Sequence, residues 1–567
     1  IYFNASSQDF EIIDGCPIQY SLSDQLIRLF RTGERVSDFA KTASGLQTND
    51  NGRFIKFWFE LVLGKICLLS PSREDAKNSS KKWFPHVKGG AYRKWYGNLD
   101  YVVNWEDDGA EIFELARELY GSPTRTIKNL DLYFSTGVTW TDISSGEFGV
   151  RSIPSGFIFD TSAPSAFSDE EELLLSLLNS KPAVELARLL CPSLHFLTAD
   201  IAKFPVPLSA LNAQKELITA KGRDIHRKAK TDWDAYETSW DFTTLPMLSS
   251  DYRGSNMAET YGKLRSHWQS MTDEMQRLEE ENNKIFIDAY GLQDELTPEV
   301  PIDEITLTCN PHYRYGGNMT DEEREERLLS DTVAEFLSYA VGCMFGRYSL
   351  DKPGLVLANQ GKTLADYLAQ VPQPTFEPDE DNVIPMLDGD WFPDDITERF
   401  RKFLRVTFGE EKFQENLRFI EKALGKDIRK YFTKDFYKDH VKRYKKRPIY
   451  WMFSSPKGSF NALIYMHRYN RDTVSVLLNR YVREFKVKLN AQKSAYERVE
   501  ISSDASQGEK TKAIKEIQKI NSTIEELDAW EREVIFPLAS QRIEIDLDDG
   551  VKANYPKFGS ALKSIGI

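Results

Sequence analysis

No run of eighteen apolar residues occurs anywhere in this sequence, so no membrane-spanning helix is expected. Cysteine is scarce: there are five in 567 residues, far apart and never in a CxxC pair. That pattern argues against a disulfide framework or a clustered zinc site, and for a reducing, cytoplasmic compartment. The seven histidines are equally scattered. HExxH, GxxxxGK(S/T) and a GxGxxG following a strand are all missing, as are paired-carboxylate, Ser-His-Asp and Cys-His patterns. The chain therefore has no recognisable catalytic centre, and no resident metal or cofactor is expected. The opening residues, IYFNASSQDF, lack a Met, a basic leader and an apolar core. They read as the interior of a longer protein and not as a secretory signal.

Positive charge is also in deficit, the formal net charge being -14. An acidic balance disfavours whole-surface binding to nucleic acid. It leaves room for a local basic groove, because salt confines charge effects to about 10 Å. Where the cations sit decides more than their total.

The patterning predicts a multidomain α+β chain. Residues 22–36 read as a short helix closed by Gly33, and 45–58 as a turn followed by a strand. Short strand-like runs broken by Gly, Ser and Pro continue to about 165. A helix is expected over 169–190, with acids in its first turn. Leu264, Trp268, Met271, Met275, Leu278, Asn282 and Ile285 are spaced as a heptad seam in a long helix from about 258 to 290, and the polar Asn282 is a candidate register device. Residues 376–400 read as an acidic linker or surface loop. Two strong helices joined by ISSDASQGEK (501–510) predict an αα-hairpin near the C-terminus. The expected divisions are 1–20, a β-rich 21–215, a helical spacer 216–300, a helical or mixed 301–400 with the acidic linker, and 401–567 with the hairpin.

Against the global charge, KKWFPHVKGGAYRKWYGNLDYVVNW (81–105) interleaves cations with aromatics around Gly89-Gly90. Cations suit phosphates, Arg and Asn suit base edges, and flat rings suit unstacked bases. A twisted hairpin with core aromatics and solvated lysines fits the same composition. A second cluster, KDFYKDHVKRYKKRPIYWMF (434–453), and a third, KGRDIHRKAK (221–230), read equally as solvated helix faces. NPHYRYG (310–316) resembles the Asn-Pro-Pro-Tyr loop that holds a flipped adenine. However, His312 replaces the second Pro and no Gly-rich strand-turn-helix precedes it, so Asn310 is not expected to be catalytic.

Longer strings carry a resemblance. IYFNASSQDF, KKWFPHVKGGAYRKWYGNLDYVVNWEDDGAEI, SYAVGCMFGRYSLD (338–351), KKRPIYWMFSSPKGSFNALIYMHRYNRDT (445–473) and LDDGVKANYPKFG (547–559) resemble the adenine-specific DNA methyltransferases of the BREX phage-exclusion systems, the PglX/BrxX family. The resemblance covers essentially the whole chain. It implies that 1–20 is the tail of a methyltransferase domain, that 21–215 is a β-rich target-recognition domain, and that long spacer helices and a mainly helical C-terminal region follow. GLQTNDNGRF (45–54), GVTWTDISS (137–145) and RSIPSGFIFD (151–160) fall in the recognition part. The implied function is sequence-specific recognition of double-stranded DNA for adenine-N6 methylation. S-adenosylmethionine is the donor for the full-length enzyme and none is expected bound to this chain, whose residues lack the family's donor loop and catalytic motif.

The partners implied are double-stranded DNA, an N-terminal methyltransferase half, other BREX components and phage inhibitors that mimic DNA, with no membrane. The alternative is a protein-interaction scaffold in the C-terminal half. The phosphate contacts expected are Lys82, Lys88, Arg93 and Lys94, with Trp95, Asn98, Asn49, Asn51 and Arg53 on the DNA-facing rim. Lys445, Lys446 and Arg447 form an expected second backbone clamp.

Overall fold

The computed structural model describes residues 24–144, 147–191, 193 and 195–566; the opening IYFNASSQDF string lies outside them. The chain is α+β and forms two compact units. The first comprises the described residues up to Trp58, Lys65–Ser239 and Arg265–Glu325; the second comprises Phe59–Gly64, Trp240–Leu264 and the residues from Glu326 onward.

In the first unit, short strands separated by Gly, Pro and Asn turns form small, mostly antiparallel sheets, because none is long enough to bury a face alone. Strands β1 (Glu34–Arg35) and β10 (Pro205–Val206) pair and bracket the β-rich region. Between them lie β2 (Lys41–Ala43), β3 (Ile55–Phe57), β4 (Trp83–Val87), β5 (Tyr101–Asn104), β6 (Gly137–Thr139), β7 (Arg151–Ile153), β8 (Ile158–Phe159) and β9 (Ser165–Phe167). They make one sheet of order β2-β9-β6-β7 and another of order β3-β5-β4-β8, in which only β4 and β8 run parallel. All five residues of β4 are buried. This central strand contains Pro85, which lacks a donor. The Lys82 carbonyl accepts from Trp105 N on the β5 side, so by alternation Pro85 turns its nitrogen to the other side, where β8 begins pairing only at His86.

The helix expected over 169–190 is two helices, Glu171–Leu178 and Lys181–Leu190. Pro182 sits in the first turn of the second, where its missing N–H costs nothing. The Asn179 side chain is turned inward to the Val150 amide and carbonyl, at 3.0 and 2.9 Å, and so marks the break. The long helix runs Met257–Tyr290, with Leu264, Trp268, Met275 and Leu278 buried along its seam. Asn282 donates to the Ser176 carbonyl at 3.0 Å, fixing the register of that helix against Glu171–Leu178.

In the second unit, β11 (Ile384–Pro385), β12 (Tyr450–Ser454) and β13 (Asn461–Tyr465) form a sheet of order β11-β13-β12. The acidic 376–400 segment is therefore no simple surface loop. Val383, Ile384, Met386 and Leu387 are buried, and the Asp395 side chain caps helix Ile396–Phe408. The αα-hairpin is present as Arg483–Ile501 and Gln507–Trp530. Phe485 and Trp530 anchor its base against Phe460. Each of its helices is continued across a π-turn, Leu477–Val482 before the first and Glu531–Ile535 after the second.

Candidate nucleic-acid interface

The basic-aromatic stretch is largely core. Trp83, Phe84, Trp95 and Tyr96 are buried; the first two lie on β4 between two neighbouring strands, with the Phe84 ring edge-on to Phe134, and the Tyr96 ring packs against His226. Its cations divide by depth. Lys82 is half-buried, its ammonium 5.6 Å from the Trp83 ring centroid. Lys88 Nζ donates to Asp160 Oδ2 at 3.0 Å, and the same carboxylate takes His86 Nε2 at 3.2 Å and Ser162 Oγ at 2.6 Å. Burial would raise the Asp160 pKa; the His86 hydrogen bond and the His86 and Lys88 charges outweigh it and hold the carboxyl well below its ordinary range.

Arg93 and Lys94 do not fit the expected phosphate role, because both are buried and committed. The Arg93 guanidinium lies between Trp233 and Tyr313, 5.0 and 5.7 Å from their centroids, and donates to Thr308 Oγ1 at 2.6 Å. Asp232 is 3.6 Å away. Lys94 forms an ion pair with Glu279 of the long helix, and Trp95 Nε1 donates to the other oxygen of that carboxylate at 2.8 Å. Burial opposes the Lys94 charge; the Glu279 carboxylate overcomes it, so the ammonium is held above its ordinary pKa. Trp95 is likewise not on a rim: it is fully buried, with φ +70, a left-handed conformation secured by backbone bonds to Val150 and Ser152. Asn98 is half-buried and donates to the Ala91 carbonyl at 2.9 Å. A Cβ on Gly90 would fall 2.7 Å from Asn98 Nδ2, so a larger residue there would displace the Asn98 side chain.

The rim residues of 47–53 are placed differently. The Asp50 side chain caps the short helix Asn51–Phe54, accepting from Arg53 N at 3.0 Å. Asn49 has φ +63, accepts from the Tyr120 hydroxyl at 3.2 Å and donates weakly to the Gln47 carbonyl. Exposed Asn51 accepts from Thr48 Oγ1 at 2.6 Å through Oδ1, which leaves its amide N–H groups without a partner among the described residues. Exposed Arg53 pairs with Glu111 at 2.6 Å. The Gln47 amide donates to the Thr126 carbonyl at 2.8 Å, tying this loop to the next, where Arg125 lies 4.8 Å over the exposed Tyr120 ring. Gln47, Tyr120, Arg125 and the exposed Lys128 were not singled out in the sequence. The amide-rich turn at 47–51 was the local signal; its junction with 120–128 is a tertiary one.

In the second unit, Lys445 and Lys446 are exposed at the end of helix Tyr437–Arg443, both with positive φ, 51 and 60. Arg447 is mostly buried, its Nε 4.0 Å from Glu60. It braces the turn and does not fit the expected backbone clamp. The 221–230 cluster is neutralised by Glu281, Glu172, Asp224, Glu274 and Asp234. Asn310 is buried; its Nδ2 donates to the Ile302 and Ile305 carbonyls at 2.7 and 2.9 Å, and its Oδ1 accepts from His312 N. Tyr313 OH donates to the Tyr92 carbonyl at 2.5 Å. Both residues are consumed by structure.

Among the described residues, Cys67, Cys191, Cys309 and Cys343 are free thiols, and no three His, Cys, Asp or Glu side chains gather as metal ligands. No described helix is long and apolar enough to cross a membrane.

No protein-family model matches the chain. It is 36% identical over 584 aligned positions to the adenine-specific methyltransferase BrxX of Escherichia coli O9:H4 (strain HS), covering 99% of this chain and 46% of that protein. It is 34% identical over 579 positions to the adenine-specific methyltransferase PglX of Lacticaseibacillus casei (strain Zhang), covering 98% of this chain and 45% of the relative. The chain thus spans a little under half the length of both curated relatives. Matched along nearly all of its own residues, it is related to part of the adenine-specific methyltransferases BrxX and PglX.

Proposed function

We propose that this chain is the DNA-reading part of an adenine-N6 methyltransferase of an antiphage system. The observation that carries this reading is the rim built from 47–53 and 120–128, in a chain related along its length to two adenine-specific methyltransferases. The rim offers what base edges require: amide donors at Asn51, a guanidinium at Arg53 that its exposed acid can release, and the Tyr120 ring. The half-buried Lys82 and Lys88 flank the core of the same unit, and the recognition part is taken as 21–215, followed by the 216–300 spacer.

S-adenosylmethionine would be the donor of the whole enzyme. Among the described residues no sheet has the consecutive parallel strands and crossover helices of a donor-binding fold, and Asn310 is fully engaged. The residues here do not fit the donor, and no methyl-transfer step is derived from them. The test is selection of preferred sites from a randomised duplex library by this chain. Enrichment of one short adenine-containing string is expected; uniform recovery of all sequences would overturn the reading.

A second reading, a docking scaffold for other BREX components, is favoured by the exposed Val487, Val499, Ile501 and Ile514 on the hairpin. Ile501→Glu would then abolish co-purification of those components and leave DNA selection unchanged. An acidic phage protein mimicking DNA would compete for the rim and not for the hairpin.

A further inference from the structure

The helical segment Ile428–Tyr431, Phe432–Phe436, Tyr437–Arg443 has an aromatic inner face and a cationic outer one. Tyr431, Phe432, Phe436, Tyr437 and His440 are buried. Lys430, Lys434, Lys438 and Lys442 are all exposed, at strict spacings of four. The acids of the segment are used locally. Asp427 caps the Lys430 amide at 2.9 Å, Asp435 holds Lys426, and Asp439 accepts from the Tyr431 hydroxyl at 2.8 Å. The lysine row thus has no carboxylate within ion-pairing distance among the described residues, and exposed Lys446 continues it past the helix end.

The row is straighter than an α-helix would allow. At 3.6 residues per turn, each step of four drifts by about 40° around the axis. The Phe432–Phe436 turn is a π-turn, which winds less per residue and offsets much of that drift. Twelve residues at 1.5 Å extend the row over about 18 Å, a length in which one DNA strand presents about five phosphates. A file of unpaired, evenly spaced ammonium groups on a chain with net charge -14 matches a regular polyanion better than a scattered acidic protein surface.

We propose that Lys430, Lys434, Lys438 and Lys442 form a rail that holds the phosphate backbone of double-stranded DNA independently of sequence. This rests on the reading of the chain as a DNA-binding one and adds a second contact surface in the other unit. A rail of this kind raises residence on any duplex, while discrimination remains with base-edge contacts.

The test measures binding of the complete chain to a random 30-base-pair duplex over a salt series, with and without the quadruple substitution K430Q/K434Q/K438Q/K442Q. A control removes Lys512, Lys515 and Lys519, exposed lysines of the hairpin. Loss of four phosphate contacts should lower the slope of log K against log salt by about 3.6 and weaken binding roughly 10²–10³-fold at ~0.1 M salt. The thermal midpoint should be unchanged and the control should bind as the parent. A preserved slope in the quadruple variant, or an equal loss in the control, overturns the rail. If the parent chain shows no salt-dependent binding at all, it is the DNA-binding reading that fails, and the rail with it.

Discussion

Lys94→Met separates two accounts of the opening basic-aromatic stretch, one electrostatic and internal, the other facing DNA. Lys94 and Glu279 are both buried, and among the described residues Glu279 has donors only from Lys94 and Trp95. Removing one partner of a buried pair leaves an uncompensated charge and typically costs about 3–5 kcal/mol, whereas replacing both by apolar side chains of similar volume is near neutral. Lys94→Met should therefore lower stability by about 3–5 kcal/mol, and Lys94→Met/Glu279→Leu should recover most of it. Burial already raises the Glu279 pKa, and in the parent the Lys94 charge opposes that rise. Without the lysine, the folded-state value moves further above the unfolded ~4.3. A raised folded pKa gives stability that is present below the unfolded value and lost as pH rises through the folded one. The deficit of the single variant should accordingly shrink on acidification from about pH 8 toward pH 5, by about 1.4 kcal/mol for each pKa unit traversed. Urea unfolding followed by circular dichroism at several pH values measures all three quantities. An unchanged midpoint in Lys94→Met, combined with a salt slope of DNA binding reduced by about 0.9, would refute this reasoning and return Lys94 to the phosphate surface.

Asp160→Asn should cost about 2–4 kcal/mol at neutral pH, because the charged hydrogen bonds from His86 and Lys88 are lost. Since the folded Asp160 pKa is depressed, its contribution is present above the unfolded ~3.9 and is lost only as pH falls through the folded value, so acid-unfolding curves of parent and variant should draw together below about pH 4 and meet only at the acid extreme. Asn310→Ala should lower the unfolding free energy by about 2–3 kcal/mol, through two orphaned carbonyls and a lost cap. It should leave the salt dependence of DNA binding intact. Asn51→Ala should relax preference at one base pair by about 1–3 kcal/mol in competition binding, with no change in salt slope.

Local pattern carried the helices and missed the destinations of the charges. The seam Leu264–Ile285 and the hairpin were legible because their periodicity is long and their caps are local, Ser506 and Glu509 forming a capping box at the second hairpin helix. The short strands of 131–160 were legible from alternating runs and turn residues, with 145–146 outside the described residues. The break at Asn179 was hidden by an apolar run that continues across it. The site was harder to read. Lys88, Arg93 and Lys94 look alike in composition, but their partners Asp160, Asp232 and Glu279 lie 72, 139 and 185 positions away, beyond any local signal. The exposure of Asn51 and Arg53 was legible because their segment reads as a turn; the neighbouring Tyr120 needed the fold. The lysine row was present as an i, i+4 pattern within a cluster noticed only for its total charge.

The first unit is assembled from non-contiguous stretches of chain, and this governs how parts of it can be exchanged between relatives. A cassette cut after Ser239 would carry Arg93, Lys94 and Trp95 into a new host without Thr308 or Glu279, their partners in Arg265–Glu325. Grafts that keep host residues in that stretch should then fail in folding and not in recognition, unless the host supplies an acid at the position of Glu279. Sequence drift within the unit faces the same constraint. Substitutions confined to 47–53 and 120–128 leave these long-range pairs untouched, so the rim can drift while its foundation stays inherited as a block.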